Sequence, residues 1–260
     1  MQESKNNGSE TGGATAKSTG VVMLDSLTHR RLRMQPLTDY SITAGMHCAF
    51  IAASEFMLAA IEFPIVFIHN EQRDAEGKPV LSPVVMLGLT VGENLHLDGT
   101  RWDAGYLPAV IRRYPFSTML VEGSDAPGVF IDSSWAGFSE SAGEALFDAA
   151  GAPTELLGNS IAFLRAFEAE LQKTRALCAA INRLDLARAM KADAALPNGE
   201  TLSVEGFMTI DEARLRELPD ATVIELHRNG VMPLLQAHLL SLANLRKLVD
   251  RKARRIAAVS

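Results

Sequence analysis

Short apolar runs bounded by turn residues fill the first half of the chain, and longer stretches with helical spacing fill the second. Val21–Leu24 and Leu32–Met34 read as short strands around the basic turn His29-Arg30-Arg31. That turn is a solvated surface, because its cations do not recur along an element. Cys48–Ile51 predicts an edge strand. Ser54 is placed to cap a short helix, Glu55–Glu62, which Pro64 ends. Pro64–His69 and Pro83–Leu89 are apolar runs joined by a charged, Gly-containing loop, a pattern that predicts an antiparallel pair buried on at least one face. Leu95–Leu97 alternates as a further strand, Asp98-Gly99 turns the chain, and Phe116–Val121 with Gly128–Asp132 predicts another hairpin.

After Trp135 the pattern changes. Glu140–Ala152, interrupted by Gly143 and Gly151, has room for at most one short helix. Asn159 is placed to cap a long helix, Ser160–Leu184, along which Phe163, Phe167, Leu171, Cys178 and Ile181 recur at helical spacing. Ala192–Leu196 and Leu202–Ile210 flank Pro197-Asn198-Gly199-Glu200 as a hairpin. Asp211 predicts the cap of one short helix and Asp220 the cap of the next, which stops at Asn229-Gly230. The last helix starts near Pro233. Its apolar stripe runs Leu234, Leu235, His238, Leu239, Leu242, Leu245, Leu248 and Val249, and its RKARR end places cations where the helix dipole favours them.

The order therefore predicts an α+β fold: an antiparallel, β-rich N-terminal half (21–135) packed with a helix-rich C-terminal half (136–260) that contains an inserted β-hairpin. Both halves belong to one domain, and the polar residues 1–20, rich in Gly, Ser, Thr and Asn, read as a disordered tail.

Composition narrows the function classes. Apolar residues make up 47% of the chain, enough for a sizeable core. A net charge of −6 gives no electrostatic reason to expect nucleic acid or an anionic membrane surface as partner. Cys48 and Cys178 stand far apart, as small buried hydrophobes of a reduced compartment. Cys48–Ile68 is broken by Ser54, Glu55, Glu62 and Pro64 and predicts no membrane span, and no secretory signal opens the chain, so the expected location is the cytoplasm.

Motifs with a fixed mechanism are missing. The chain has no GxxxxGK[ST] or GxGxxG phosphate cradle, no HxH or HExxH metal pair and no GxSxG nucleophile elbow, so neither a cofactor nor a metal is expected. The densest chemistry lies in Arg101–Phe116, where Trp102, Tyr106, Arg112, Arg113 and Tyr114 crowd a segment bounded by Pro108 and Pro115. In one reading Tyr106, Val110 and Tyr114 pack on the sheet while the arginines pair with carboxylates. In the other, the set is a recognition surface whose arginines hold a carboxylate. Asp132, followed by Ser133 and Ser134 at a strand end, is a candidate acid or a turn cap. His238 lies on the apolar stripe as a core histidine or a site residue, and the helix dipole accounts for His227 in its last turn.

Several segments resemble the SapC family of bacterial proteins. They are PIVFIH, the run PVVMLGLTVGENLHLDGTRWDAGYLPAVIRRYPF, FIDSSWAGF, EALFDAAGAPTELL, LPNGETLSVEGFMTIDEARLRELPD and LHRNGVMPLLQAHLLSLANLRKLVDR. The resemblance implies a surface-layer-associated protein whose relatives are encoded beside TonB-dependent receptors, tryptophan-halogenase-like enzymes and cupin-like proteins. It transfers no active-site residue. Export to the surface without a signal peptide would reconcile that association with the missing leader. Two readings follow from it. One is a non-enzymatic accessory or binding protein of a surface-layer or receptor-linked system, its partner a small molecule, another protein or a second copy of the chain. The other is an enzyme, or an enzyme's partner, that modifies an amino acid or peptide, which requires Asp132, His238 or His227 to meet Arg112 or Arg113 in one pocket.

Overall fold

The structure, a computed structural model, describes residues 20–74, 76–124, 126–196, 199 and 201–259. Residues 1–19 of the polar tail, and Pro197, Asn198 and Glu200 of the predicted turn, lie outside the described residues. The first half contains β1 (Val21–Met23), β2 (Arg33–Met34), β3 (Cys48–Phe50), the helical turn α1 (Phe56–Ala59), β4 (Ile65–Arg73) and β5 (Pro79–Met86). Then come β6 (Leu97–Asp98), β7 (Arg101–Trp102), α2 (Ala109–Arg112), β8 (Phe116–Leu120) and β9 (Pro127–Asp132). Two short strands, β10 (Phe138–Ser139) and β11 (Glu144–Ala145), precede the long helix α3 (Glu155–Arg183). The hairpin β12 (Ala187–Ala195) and β13 (Thr201–Ile210) follows, and α4 (Glu212–Arg216), α5 (Asp220–Arg228), α6 (Val231–Ser241) and α7 (Asn244–Val259) complete the chain. The fold is α+β, strand-rich first and helical later.

The main sheet is antiparallel with order β12-β13-β4-β5-β3, so Cys48–Phe50 is the edge strand its short apolar run predicts. Both faces are covered. Ile65, Phe67, Leu81 and Val85 point to one side, where they meet Leu177, Cys178 and Ile181 of α3 and Leu235 of α6. Val66, Val84 and Met86 point to the other, against Val204, Phe207 and Leu248 of α7. Strand alternation at period two makes this possible, since neighbouring residues of β4 serve opposite cores. The inserted hairpin joins the sheet through Met208 opposite Phe67.

A smaller sheet, β1-β9-β8, packs Phe116 and Ile131 against Leu157 and Leu164 of α3. At ~1.5 Å per residue α3 is about 43 Å long, and it serves the small sheet with its first half and the large sheet with its second.

Several boundaries differ from the sequence reading, each for a tertiary reason. Thr154, not Asn159, caps α3, its side chain accepting Leu157 N–H. The helix runs through Gly158 and Asn159 because Leu157 is buried among Phe116 and Ile131, and that burial outweighs the low helix propensity of the pair. Ser54 does not cap the Glu55–Glu62 turn; a 3-10 turn, Ala53–Glu55, leads into α1. Leu95–Leu97 is not a strand; the pairing shifts to Leu97–Asp98 with Arg101–Trp102. Glu140–Ala152 holds β11 in place of a helix. Asp220 is the first residue of α5 and lies after the N-cap position, which Pro219 occupies.

The last helix is two helices. Leu242 and Ala243 break it, and Asn244 is held at the bend by donating to Ala60 O at 2.8 Å and Phe63 O at 3.2 Å. The break carries the chain from the α6 face of the sheet round to the α7 face. Pro233 sits in the first turn of α6, where its missing N–H leaves no hydrogen bond unmade. None of the helices, over the described residues, is long and apolar enough to cross a membrane.

Candidate functional site

The segment from Arg101 to Phe116 is pinned at its middle by two carboxylates that precede it in the chain. Glu62 accepts Gly105 N–H at 2.8 Å and Tyr106 N–H at 3.2 Å. Glu55, itself buried, accepts Tyr106 O–H and Ala109 N–H at 2.7 Å each on one oxygen. Its other oxygen takes Ala52 N–H at 2.8 Å. Burial, with the Glu55 hydrogen bond second, pushes the Tyr106 hydroxyl well above its usual range. Trp102 donates its indole N–H to Tyr106 O at 2.8 Å, and its ring lies against Phe63 and the buried His96. These contacts consume the polar atoms of Trp102 and Tyr106 in holding the segment in place.

Arg101 pairs with Asp98 at 2.9 Å, but Arg112 and Arg113 do not meet a carboxylate within ion-pair distance among the described residues. Arg112 is exposed, with its guanidinium 6.0 Å from the Tyr106 ring centre and 5.2 Å from that of Phe163. Arg113 lies 5.2 Å from the centre of Phe167, and burial lowers its pKa while Glu168 opposes this. Both stack on aromatic side chains of α3 and attach the segment to that helix.

Tyr114 turns the other way. Its peptide bond to Pro115 is cis, and its hydroxyl donates to Asp132 Oδ2 at 2.9 Å. Asp132 Oδ1 accepts Ser134 N–H at 3.1 Å and Ser134 O–H at 2.5 Å. The Ser134 hydroxyl, followed by that of Tyr114, holds the Asp132 carboxyl below its usual range despite partial burial. Burial, then the hydrogen bond to Asp132, raises the Tyr114 hydroxyl. Trp135 meets the Tyr114 ring edge-on at 5.8 Å. A Cβ on Gly137 would fall 2.2 Å from the Trp135 ring, so only glycine leaves room for that ring. Ser133 is occupied elsewhere, donating N–H and O–H to Gly20 O.

Tyr114, Asp132, Ser134 and Trp135 form one wall of a cavity of ≈ 640 Å³ whose other wall comes from Gln35–Ile42, an irregular stretch that ends in a 3-10 turn starting at Ser41. That stretch brings a second carboxylate, Asp39, held below its usual range by the Ser41 hydroxyl and backbone. Two ionised acids beside two aromatic rings suit a ligand rich in hydrogen-bond donors, an amine or a polyol. Asp132 is a weak base, being already hydrogen-bonded and acidic, and no histidine lines the cavity among the described residues.

Of the candidate residues, the structure brings Tyr114 and Asp132 together and sets Trp102, Tyr106, Arg112 and Arg113 along the other side of the segment. His238 is in the core, its Nε2 facing Ile210 N–H at 3.1 Å and the Thr209 hydroxyl at 3.0 Å. Burial pushes its pKa down to about 4. His227 is exposed on α5. The residues that sequence reasoning missed are Trp135, Asp39, Glu55 and Glu62. The wall Gln35–Ile42 has no periodicity to announce it, and Glu55 reads as an ordinary helix-face acid until Tyr106 is placed beside it. No group of three or more His, Cys, Asp or Glu side chains is arranged to hold a metal ion among the described residues.

Comparison with curated proteins and with solved structures finds no match. The SapC family model matches residues 24–248, a span that includes the Arg101–Phe116 segment, both walls of the cavity and all of the main sheet, and the chain belongs to the SapC family.

Proposed function

We propose that this SapC-family chain is a non-enzymatic binding protein, an accessory of a bacterial surface-layer or TonB-dependent-receptor-linked system, that takes a small donor-rich ligand between Tyr114, Asp132 and Trp135. The observation that carries the reading is the ionised Asp132 carboxylate, set between two hydroxyl donors at the wall of an aromatic-lined cavity. A carboxylate so arranged offers its remaining acceptor capacity to an ammonium or hydroxyl group. The same hydrogen bonds make it a poor proton acceptor, which favours binding over catalysis. The family membership and the resemblance of the motif-bearing segments support the surface-system context.

Calorimetric titration of the purified chain with amino acids, polyamines and sugars tests the reading, with Asp132→Asn and Trp135→Ala beside the wild type. A ligand that binds the wild type and is lost from both variants supports it. Ligands that bind all three proteins equally would remove this cavity from consideration.

A further inference from the structure

A second cavity, of ≈ 370 Å³, lies between α3 and the β4–β5 hairpin, away from the Tyr114–Asp132 site. Its α3 wall is the stripe Leu171, Arg175, Cys178 and Asn182, at the three- and four-residue steps that share a helix face. Phe50, Leu81 and Pro83 face this stripe from the sheet. The outer wall is the part of the hairpin where β4–β5 pairing is irregular, between His69 and Arg73, and it carries Asn70 and Gln72. The volume falls in the ~300–1,000 Å³ range of small-molecule sites, and the floor is mostly apolar. Burial pushes the Cys178 thiol up to about 12, so the floor carries no charge near neutrality.

The polar groups around this floor are nearly all engaged. Thr174 accepts Ala53 N–H at 2.9 Å and donates to Glu170 O at 2.8 Å. Asn70 donates to Ser82 Oγ at 3.2 Å, and Asn182 to Pro79 O at 3.1 Å. Asp74 Oδ1 is turned onto its own loop, accepting Lys78 N–H at 2.8 Å and Glu76 N–H at 3.1 Å, while Oδ2 accepts from Asn182 Nδ2 at 3.5 Å. Two side chains remain. The Arg175 guanidinium and the Gln72 carboxamide have no hydrogen-bond or ion-pair partner among the described residues. The group left open at the mouth of an apolar cavity is thus a planar cation with a fork of N–H donors, the shape that fits a carboxylate.

We propose that this cavity binds an amphipathic carboxylate, its apolar body on Phe50, Leu81 and Cys178 and its carboxylate on Arg175. An amine with the same body is repelled by the Arg175 charge, and Asp74, the acid among the described lining residues, already accepts from its own loop and from Asn182. An alcohol engages the arginine without its charge. The cavity therefore discriminates by headgroup.

The test is calorimetric titration of the full chain with decanoate, decylamine and decanol. Decanoate is expected to bind at one equivalent, decanol at least about tenfold more weakly, and decylamine not at all. Arg175→Gln, at an exposed position, is expected to weaken decanoate about tenfold, the loss of one charged hydrogen bond, and to leave decanol unchanged. Ala179→Phe, which fills the mouth from the exposed face of α3, is expected to abolish binding of both. The proposal fails if decanoate does not bind, if decylamine binds as well as decanoate, or if Arg175→Gln binds decanoate as the wild type does.

Discussion

The Tyr106 hydroxyl stands 2.7 Å from Glu55 Oε1, and the Ala109 amide shares that oxygen at the same distance. A carboxylate at the start of α1 thus fixes both the aromatic segment and the start of α2. At 5% exposure, Glu55 would be costly to leave unpaired, and three donors would lose their partner without it.

Glu55→Ala is therefore expected to destabilise the fold by about 3 kcal/mol or more, against about 1–2 kcal/mol for Tyr106→Phe. Urea unfolding of the two variants and of the double variant gives the coupling. Additive effects would show that the pair does not act as a unit.

Acid should weaken the fold through two histidines. His96 and His238 are both pushed down to about 4, burial being the main cause, with the Arg251 charge adding to it at His96. Each titrates near 6.5 once unfolded, so between pH 6.5 and 4 the unfolded chain binds the extra protons. Stability is complete above pH 6.5 and declines as pH falls to 4, by on the order of 3 kcal/mol per histidine. The two differ at pH 7. His96 meets no hydrogen-bond partner with either ring nitrogen among the described residues, so His96→Leu should be neutral or stabilising and should flatten the acid slope. His238→Leu strips Ile210 N–H of its acceptor and should destabilise. Unfolding midpoints from pH 4 to 8 decide both.

Position along the leucine-rich stripe should matter more than residue type. Leu235 and Leu248 are 0% and 1% exposed, on opposite faces of the sheet, and each is expected to cost about 2–5 kcal/mol on truncation to Ala. Leu240, 75% exposed on α6, should cost close to nothing. A large loss from Leu240→Ala that depends on protein concentration would reveal a second copy packed on that face.

Arg113→Ala is expected to destabilise by about 1–2 kcal/mol and Arg112→Ala by about 0–1 kcal/mol, because only the former guanidinium is partly buried against its ring. Equal effects measured by chemical unfolding would contradict this difference in burial.

The strand hairpins, the edge strand and the Asp211 cap were legible because each rests on a local signal: alternation, a turn sequence or a side chain within reach of its own backbone. The start of α3 and the break between α6 and α7 were not. There local preference and distant packing disagree, and Leu157 in the core under the smaller sheet, or Asn244 on the Ala60 and Phe63 carbonyls, outweighs a few tenths of a kcal/mol of propensity. The aromatic and arginine cluster was visible in Arg101–Phe116, but its division was not, because neighbours in sequence point to different partners.

By itself, then, the sequence determined the fold class, most elements and the family, since these follow from periodicity, turn chemistry and motif-bearing segments. Only the tertiary structure decided that Tyr114 leaves the cluster to join Asp132 and Trp135, that Tyr106 is held by Glu55, and that Arg175 stands uncommitted over an apolar cavity. The reason is the range of the interactions. Periodicity reports which face of an element is buried, but a site is made where faces from distant parts of the chain converge. Glu55 and Tyr106 are 51 positions apart, and the chain between them carries no mark of the bond that joins them.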